Sequence, residues 1–373
     1  MKYYIIAGEA SGDLHGSNLM KEIKLLDSHA SFRFLGGDRM QAQGGGLVKH
    51  INELAFMGFW EVLVNLRTIL RNIKLCKKDL LNFSPDVLIL IDYPGFNLHL
   101  ARFAKNHGIK VVYYISPQIW AWKQSRIKKI RRDVDKMMVI LPFEQAFYKG
   151  FGVDVEFPGH PLLDAISQYK EKESRLDFIQ QYGLAEKPIV ALLPGSRRQE
   201  LAATLQVMAS VASSFPNFQF VVAGVDSIPE SYYHELIAGN PVKLVYGQTY
   251  NLLAIAKAAL VTSGTATLET ALFGVPQVVC YRAGVISYLI AKKLVKVKHI
   301  SLVNLVLDRS LVSEMIQNEL TRHGLINELN SLLYNEDYIS KINSGYIELK
   351  KILGGEGASR NAAKIIANFL KAE

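Results

Sequence analysis

Apolar residues in this chain fall into short unbroken runs separated by longer stretches in which they recur every three or four positions. Tyr3–Ala7, Phe32–Gly36, Val87–Ile91, Lys110–Ile115 and Lys136–Leu141 are such runs in the first half, several of them rich in β-branched residues. Runs of that length predict strands of a parallel sheet, buried on both faces. The stretches between them carry helical spacing, beginning with a helix that runs from the turn Gly8–Asp13 to about Leu26. The alternation is that of a doubly wound α/β sheet.

The rhythm pauses at Gly159-His160-Pro161, and a charged segment, Tyr169–Arg175, follows as a linker. It then restarts with Ile189–Leu193, Phe218–Ala223, Val242–Tyr246, Ala258–Val261 and Gln277–Tyr281, before a largely helical final third. The expected organisation is two Rossmann-like domains in series, 1–165 and 166–344, facing a central cleft. A length of 373 residues, 49% of them hydrophobic, gives each domain enough apolar side chains for its own core.

Composition narrows the function classes. A net charge of +9 favours anionic partners, whether nucleic acid, anionic lipid or phosphorylated substrates. The two cysteines, Cys76 and Cys280, have neither metal-ligand spacing nor a disulfide pattern, which suits a reducing compartment. No leader pattern and no apolar run near ~20 residues is present, so a cytoplasmic protein is expected.

The most informative stretch is Thr262-Ser263-Gly264-Thr265-Ala266-Thr267-Leu268-Glu269. A strand that turns through Ser-Gly-Thr into a helix directs unpaired N–H groups and the positive dipole end outward, which suits a phosphate. Glu269, about one turn on, is placed to accept from ribose hydroxyls. Read alone, the stretch also fits an ordinary turn with a Ser/Thr cap. Leu193-Pro194-Gly195-Ser196-Arg197 ends another strand, with Ser196 as a helix cap and Arg197 as a phosphate clamp. Tyr246-Gly247-Gln248-Thr249 ends a third, where backbone groups and Gln248 can read a nucleobase edge.

In the first half, Gly8–Gly12 looks like a phosphate loop but lacks GxGxxG and the Walker lysine. Glu9 and Asp13 would repel a phosphate, so sugar hydroxyls or an acceptor suit it better. Asp92, ending Val87–Ile91, is placed to deprotonate an attacking hydroxyl. His15 and His160 are alternative bases. Asp133-Val134-Asp135 matches a metal-holding DxD only superficially, because it precedes a strand. Phe56–Leu70 with Arg67, Arg71, Lys74, Lys77 and Lys78, the segment Ile119–Lys123 before Arg126–Arg132, and residues 285–298 mix apolar and basic side chains, as an interfacial surface would.

Taken together, these residues resemble the lipid-A-disaccharide synthase family, glycosyltransferases of the GT-B type (family 19). The resemblance rests on the order and spacing of Ala7–Asp13, Met57-Gly58, Ile91-Asp92, Ser116-Pro117 with Trp120-Ala121-Trp122, Leu141-Pro142-Phe143-Glu144, Gly159-His160, Leu193–Arg197, Ser263–Ala266, and Ser301-Leu302 with Asn304-Leu305. It implies inverting transfer of a sugar from UDP-2,3-diacylglucosamine to the 6-hydroxyl of 2,3-diacylglucosamine 1-phosphate (lipid X), with no cofactor and no metal. Asp92 and Glu9 would be catalytic. Ser11, Ser196, Arg197, Gln248, Ser263, Gly264, Thr265, Glu269 and Asn304 would bind substrate. It further implies a peripheral seat on the cytoplasmic face of the inner membrane, no nucleic-acid partner, and a C-terminal helix, about 345–373, packing back on the first domain; homodimerisation stays open. Gly95 stands where relatives often carry a second acidic residue, so any role of that carboxylate is absent here.

Two other readings use the same features. One is a different UDP-sugar transferase or a 2-epimerase on the same fold. The other is a non-catalytic protein that binds anionic lipid, which would explain the charge but not Asp92 or the Ser263–Glu269 turn.

Overall fold

The computed structural model describes residues 1–53, 66–121, 124–169, 175–284 and 298–371. It divides into two units, Met1–Ala165 with Leu353–Glu373, and Ile166–Ile352.

The first unit holds β1 (Lys2–Ala7), β2 (Ser31–Gly36), β3 (Gly46–His50), β4 (Val87–Ile91), β5 (Lys110–Tyr114) and β6 (Lys136–Met138), all parallel, in the order β3-β2-β1-β4-β5-β6. Alternate residues serve opposite faces. Tyr4, Ile6, Leu88, Leu90 and Tyr113 face the helices Leu66–Phe83 and Pro94–Asn106. Tyr3, Ile5, Ile89, Val112 and Tyr114 pack with Leu19, Met20 and Ile23 of the helix Ala10–Leu26 and with Ala362, Ala363 and Ile366 of the helix Ala358–Lys371. Burial on both sides is what the unbroken apolar runs required.

The second unit repeats the plan with β7 (Ile189–Leu193), β8 (Gln219–Gly224), β9 (Val242–Tyr246), β10 (Ala256–Thr262), β11 (Gln277–Tyr281) and β12 (Ser313–Ile316), parallel and ordered β12-β11-β10-β7-β8-β9. In each sheet the first strand lies between the second and the fourth, so each has its topological switch point between its first and fourth strands.

Two sequence expectations need correction, and others fall outside the described residues. The edge strands β3 and β12 were not anticipated: each is short and mostly half-buried, so neither produces an apolar run. The returning segment starts at Leu353, not at 345, because Tyr346 is tied within the second unit, donating to Val275 O at 3.2 Å and accepting from Gln277 Nε2 at 3.1 Å. The proposed linker is described only at Tyr169 and Arg175, and residues 54–65, Trp122, Lys123 and 285–297 lie outside the described residues.

Candidate active site

In the first unit, the switch point brings together the ends of β1 and β4. Ala7 pairs with Ile91 in register, so Gly8-Glu9 and Asp92-Tyr93 leave adjacent strands side by side. An added Cβ on Gly8 would lie 2.5 Å from the Tyr93 ring, so this close approach requires glycine. Glu9 is the N-cap of the helix Ala10–Leu26, and Ser11 is exposed in its first turn.

Asp92 (φ 42°) and Tyr93 (φ 48°) are both left-handed, and so is Ile115 (φ 63°) at the end of the neighbouring β5. For a β-branched residue this is a true outlier, and such strain persists only where the surroundings hold it. The Asp92 carbonyl accepts from Asn97 Nδ2 at 2.7 Å and from Tyr113 Oη at 2.6 Å. Its N–H donates to Ile115 O at 3.2 Å. With its backbone held on both sides, the half-buried Asp92 carboxyl is pushed up to about 6, chiefly by burial and then by the nearby Glu9 charge, against the lowering pull of the Tyr93 N–H and of Arg126. A carboxylate tuned toward neutrality is what a general base needs.

Several other sequence candidates are occupied elsewhere. Asp13 accepts from the N–H groups of Gly37 (2.7 Å), Met40 (3.0 Å) and Arg39 (3.1 Å), clamping the turn after β2. His15 and His160 are buried. Burial holds His15 down near 4 and His160 near 3, so both are neutral at physiological pH, and the His160 Nδ1 accepts from Leu162 N. Asp133 is wholly buried against Arg102 and Arg132, and Asp135 pairs with Lys105. Among the described residues no acidic, His or Cys cluster has the makings of a metal site.

In the second unit, β7 and β10 end side by side at the switch point, with Val261 paired to Leu193. Gly195 (φ 98°) turns the chain after β7, and an added Cβ there would run into the Glu200 carboxylate. That carboxylate accepts from Ser196 N at 3.1 Å and pairs with Arg197 at 3.4 Å. Arg197, rather than Ser196, occupies the N-cap of the helix Arg198–Ser210, and 59% of its side chain is exposed. Across the switch point, Thr204 Oγ1 in the helix Arg198–Ser210 and Thr262 Oγ1 at the end of β10 lie 3.3 Å apart, tying that helix to the strand.

After β10, Gly264 is the N-cap of the helix Thr265–Leu272; Gly264 and Thr265 are exposed. Ser263 does not cap that helix. Its hydroxyl donates to Ile300 O at 2.7 Å. Glu269 accepts from Tyr250 Oη at 3.0 Å, and burial pushes its carboxyl up. Tyr250 packs edge-on to Tyr169 and against Phe273, while Gln248 accepts from Asn251 Nδ2 at 2.6 Å. Sequence reasoning missed this aromatic group, since its three members come from three separate segments.

Asn304 corrects the sequence reading. It is fully buried, and its amide is fully used: Nδ2 donates to Val312 O and Glu314 Oε1, both at 2.9 Å, while Oδ1 accepts from Leu311 N (2.8 Å) and Val312 N (3.0 Å). An asparagine with all four positions filled has nothing left for a substrate. Glu314 also accepts from Ile300 N (3.0 Å) and Ser301 N (2.9 Å), so the network supports the backbone that receives the Ser263 hydroxyl.

Comparison with known proteins follows the same lines. A family model described as lipid-A-disaccharide synthetase matches residues 3–369. The lipid-A-disaccharide synthase of Geobacter metallireducens is 39% identical, covering 98% of this chain and 96% of that protein. That of Syntrophus aciditrophicus is 41% identical, covering 98% and 97%. Among solved structures, MnaA of S. aureus with UDP superposes with a TM-score of 0.73 at 10% identity, covering 100% of this chain and 97% of that one. The calicheamicin glycosyltransferase CalG4 gives 0.59 at 14% identity, covering 100% and 98%. At such identities these two show the fold, a GT-B arrangement of two α/β units, and nothing finer.

Proposed function

The chain belongs to the lipid-A-disaccharide synthetase family, and we infer from its two strand-end sites how it carries out that family's transfer. The reaction is an inverting hexosyl transfer in lipid A biosynthesis. 2,3-Diacylglucosamine passes from its UDP conjugate to the 6-hydroxyl of the monosaccharide 1-phosphate, giving the disaccharide 1-phosphate and UDP.

In our reading, the Met1–Ala165 unit takes the acceptor and the Ile166–Ile352 unit takes the UDP part. The single observation that carries the acceptor assignment is Asp92, held in a left-handed backbone at a switch point and pushed up to about 6. Asp92 accepts the proton of the 6-hydroxyl as its oxygen bonds to the anomeric carbon. The bond from that carbon to the diphosphate oxygen breaks with its electron pair, and UDP leaves. Glu9, beside Asp92, and the exposed Ser11 orient acceptor hydroxyls, while the Glu9 charge keeps Asp92 basic enough to act.

On the donor side, charge develops on the diphosphate. The N–H groups opening the helix Thr265–Leu272 and the guanidinium of Arg197 are suited to receive it. Ser196, Ser263, Gly264 and Thr265 border that position. Glu269, oriented by Tyr250, accepts from the ribose, and Gln248 lies toward the base. These groups stabilise the leaving group by themselves, so turnover is expected to survive EDTA.

We assign a lipid-facing role to the helix Leu66–Phe83. It buries Ile73, Cys76 and Leu80 while leaving Leu70 57% exposed beside Arg67, Arg71 and Lys74. No described helix is long and apolar enough to cross a membrane. The protein should float with vesicles of anionic lipid and be released by high salt. Failure to float at low salt would remove the peripheral membrane role.

The deciding experiment is UDP release in detergent with EDTA, from UDP-2,3-diacylglucosamine with and without the monosaccharide phosphate. Acceptor-dependent release with a disaccharide phosphate by mass is the expected result. Acceptor-independent release would instead favour epimerase-type chemistry on this fold.

A further inference from the structure

Glu144 is a carboxylate with 1% exposure that opens the helix Phe143–Lys149, and the mechanism above does not use it. Burying a carboxylate is costly unless its oxygens are well supplied with donors. Here four donors reach it, two on each oxygen. Oε2 accepts from the backbone N–H groups of Ile140 (3.1 Å) and Leu141 (2.9 Å). Oε1 accepts from Ser116 Oγ (2.5 Å) and Trp120 Nε1 (3.2 Å). One oxygen is thus fixed to the segment after β6, and the other holds the loop after β5.

That loop leaves β5 through Ile115, the strained β-branched residue at φ 63°, whose carbonyl receives the Asp92 N–H. Strain of this kind relaxes unless something downstream prevents it. Ser116 and Trp120 are both buried, and the Trp120 ring stands edge-on to Phe143 with centroids 4.9 Å apart, so Glu144 and Phe143 grip the loop together.

We propose that Glu144 is a positioning residue for the transfer reaction: by collecting the Ser116 hydroxyl and the Trp120 indole it keeps the Ile115–Trp120 loop in its strained path and so fixes the backbone of Asp92. This rests on the reading of Asp92 as the base. Glu144 touches neither substrate nor the reacting atoms and acts through the loop.

Glu144→Gln separates the two halves of the grip. The backbone N–H groups of Ile140 and Leu141 cannot turn round, so the amide oxygen stays with them and the NH₂ faces the loop. Ser116 can rotate to accept from it, but the Trp120 N–H cannot, so the variant keeps the helix anchor and loses the indole bond. We expect kcat to fall roughly 10–100-fold, the size of effect produced by slight misplacement of a reacting group. UDP affinity should stay unchanged. The indole N–H resonance of Trp120, assigned through Trp120→Phe, should move upfield as its acceptor oxygen is replaced by an NH₂ group. Trp120→Phe keeps an aromatic ring against Phe143 but removes the N–H along with part of the ring, so it should lower kcat in the same direction and by at least as much.

The discriminating measurement is single-turnover transfer with radiolabelled donor in the presence and absence of Asp92→Asn. If Glu144 works through Asp92, adding Glu144→Gln to Asp92→Asn should cost less than roughly threefold more, since the two losses share one cause. An equal loss in both backgrounds, or unchanged kcat in Glu144→Gln with the indole signal moved, would overturn the proposal. Near-normal turnover in Asp92→Asn alone would instead sink the base assignment, and that variant is read first.

Discussion

Asp92 concentrates the chemistry of the first unit in one side chain, and its behaviour with pH follows from its surroundings. As a base it must be ionised, so the rate should rise with pH and reach half its plateau near 6, where burial and Glu9 have moved the carboxyl. Asp92→Asn should cut kcat by roughly 10²–10⁴ with UDP binding intact. Stability should move the other way. A carboxyl whose pKa is raised by folding favours its protonated form, so the native state is penalised once that group must ionise. The penalty is absent below about 4, grows between about 4 and 6, and is full above 6. Asp92→Asn removes it, and above pH 6 the variant should be more stable on the order of 1–2 kcal/mol after allowance for screening at a half-buried site. Urea unfolding at pH 4, 6 and 8 measures this; a variant less stable at pH 8 would contradict the burial argument.

At the scale of elements, the loops ending β7 and β10 make a second prediction. Arg197 is largely exposed, and an ion pair it makes with Glu200 at 3.4 Å lies at the surface, where such pairs are worth little to the fold. Arg197→Ala should therefore leave the melting temperature nearly unchanged while weakening UDP binding roughly 10–100-fold, as the loss of a charged phosphate contact does. Calorimetric titration with UDP checks it, and unchanged affinity would take Arg197 out of the donor site. This division also explains what the sequence made legible. The runs Val87–Ile91, Ile189–Leu193 and Gln277–Tyr281 coincide with strands to the residue, because central parallel strands must be apolar on both faces. Gly46–His50 and Ser313–Ile316, each at one edge of its sheet, are mostly half-buried and left no apolar run, whereas Val242–Tyr246, at the other edge of the second sheet, kept enough apolar residues to be read. Loop chemistry was legible as residue type and not as partnership. Ser263 and Asp13 were visible as polar residues just after strands, and Asn304 as a polar residue in the Ser301–Leu305 stretch. Whether each side chain is turned outward or spent on backbone depends on segments distant in sequence, such as Ile300 for Ser263 and Gly37 for Asp13.

At the scale of the whole molecule, the first unit is completed by a segment at the far end of the chain. The helix Ala358–Lys371 lays Ala362, Ala363, Ile366 and Leu370 onto the face formed by Tyr3, Ile5, Leu19 and Ile23, and Arg360 reaches Glu22 at 3.5 Å. An amphipathic helix of this kind fits many sheets, so periodicity alone could not say which one it covers. Its placement is set by a polar anchor. The buried Asp164 accepts from Gly357 N (2.6 Å) and Ala358 N (3.2 Å) with one oxygen and from Ser359 N (2.7 Å) with the other, which caps the helix from 193 to 195 residues away. Closing so long a loop carries an entropic cost, which the native anchor, the apolar face and contacts such as Arg360–Glu22 and Asn361 Nδ2 donating to Pro158 O (3.0 Å) offset. Asp164→Ala would strip three N–H groups of their acceptor in a buried site and should destabilise the first unit by roughly 2–4 kcal/mol. The loss should be local. In native-state hydrogen exchange, amides of residues 358–371 and of Lys2–Ala7 should lose protection, while those of Ile189–Leu193 and Gln277–Tyr281 keep theirs, since the second unit has a separate core. Asp164→Asn retains one acceptor oxygen and should fall between. Equal loss of protection in both sheets would mean that the two units unfold as one cooperative body, and the returning helix would then owe its place to that larger cooperativity and not to the Asp164 cap.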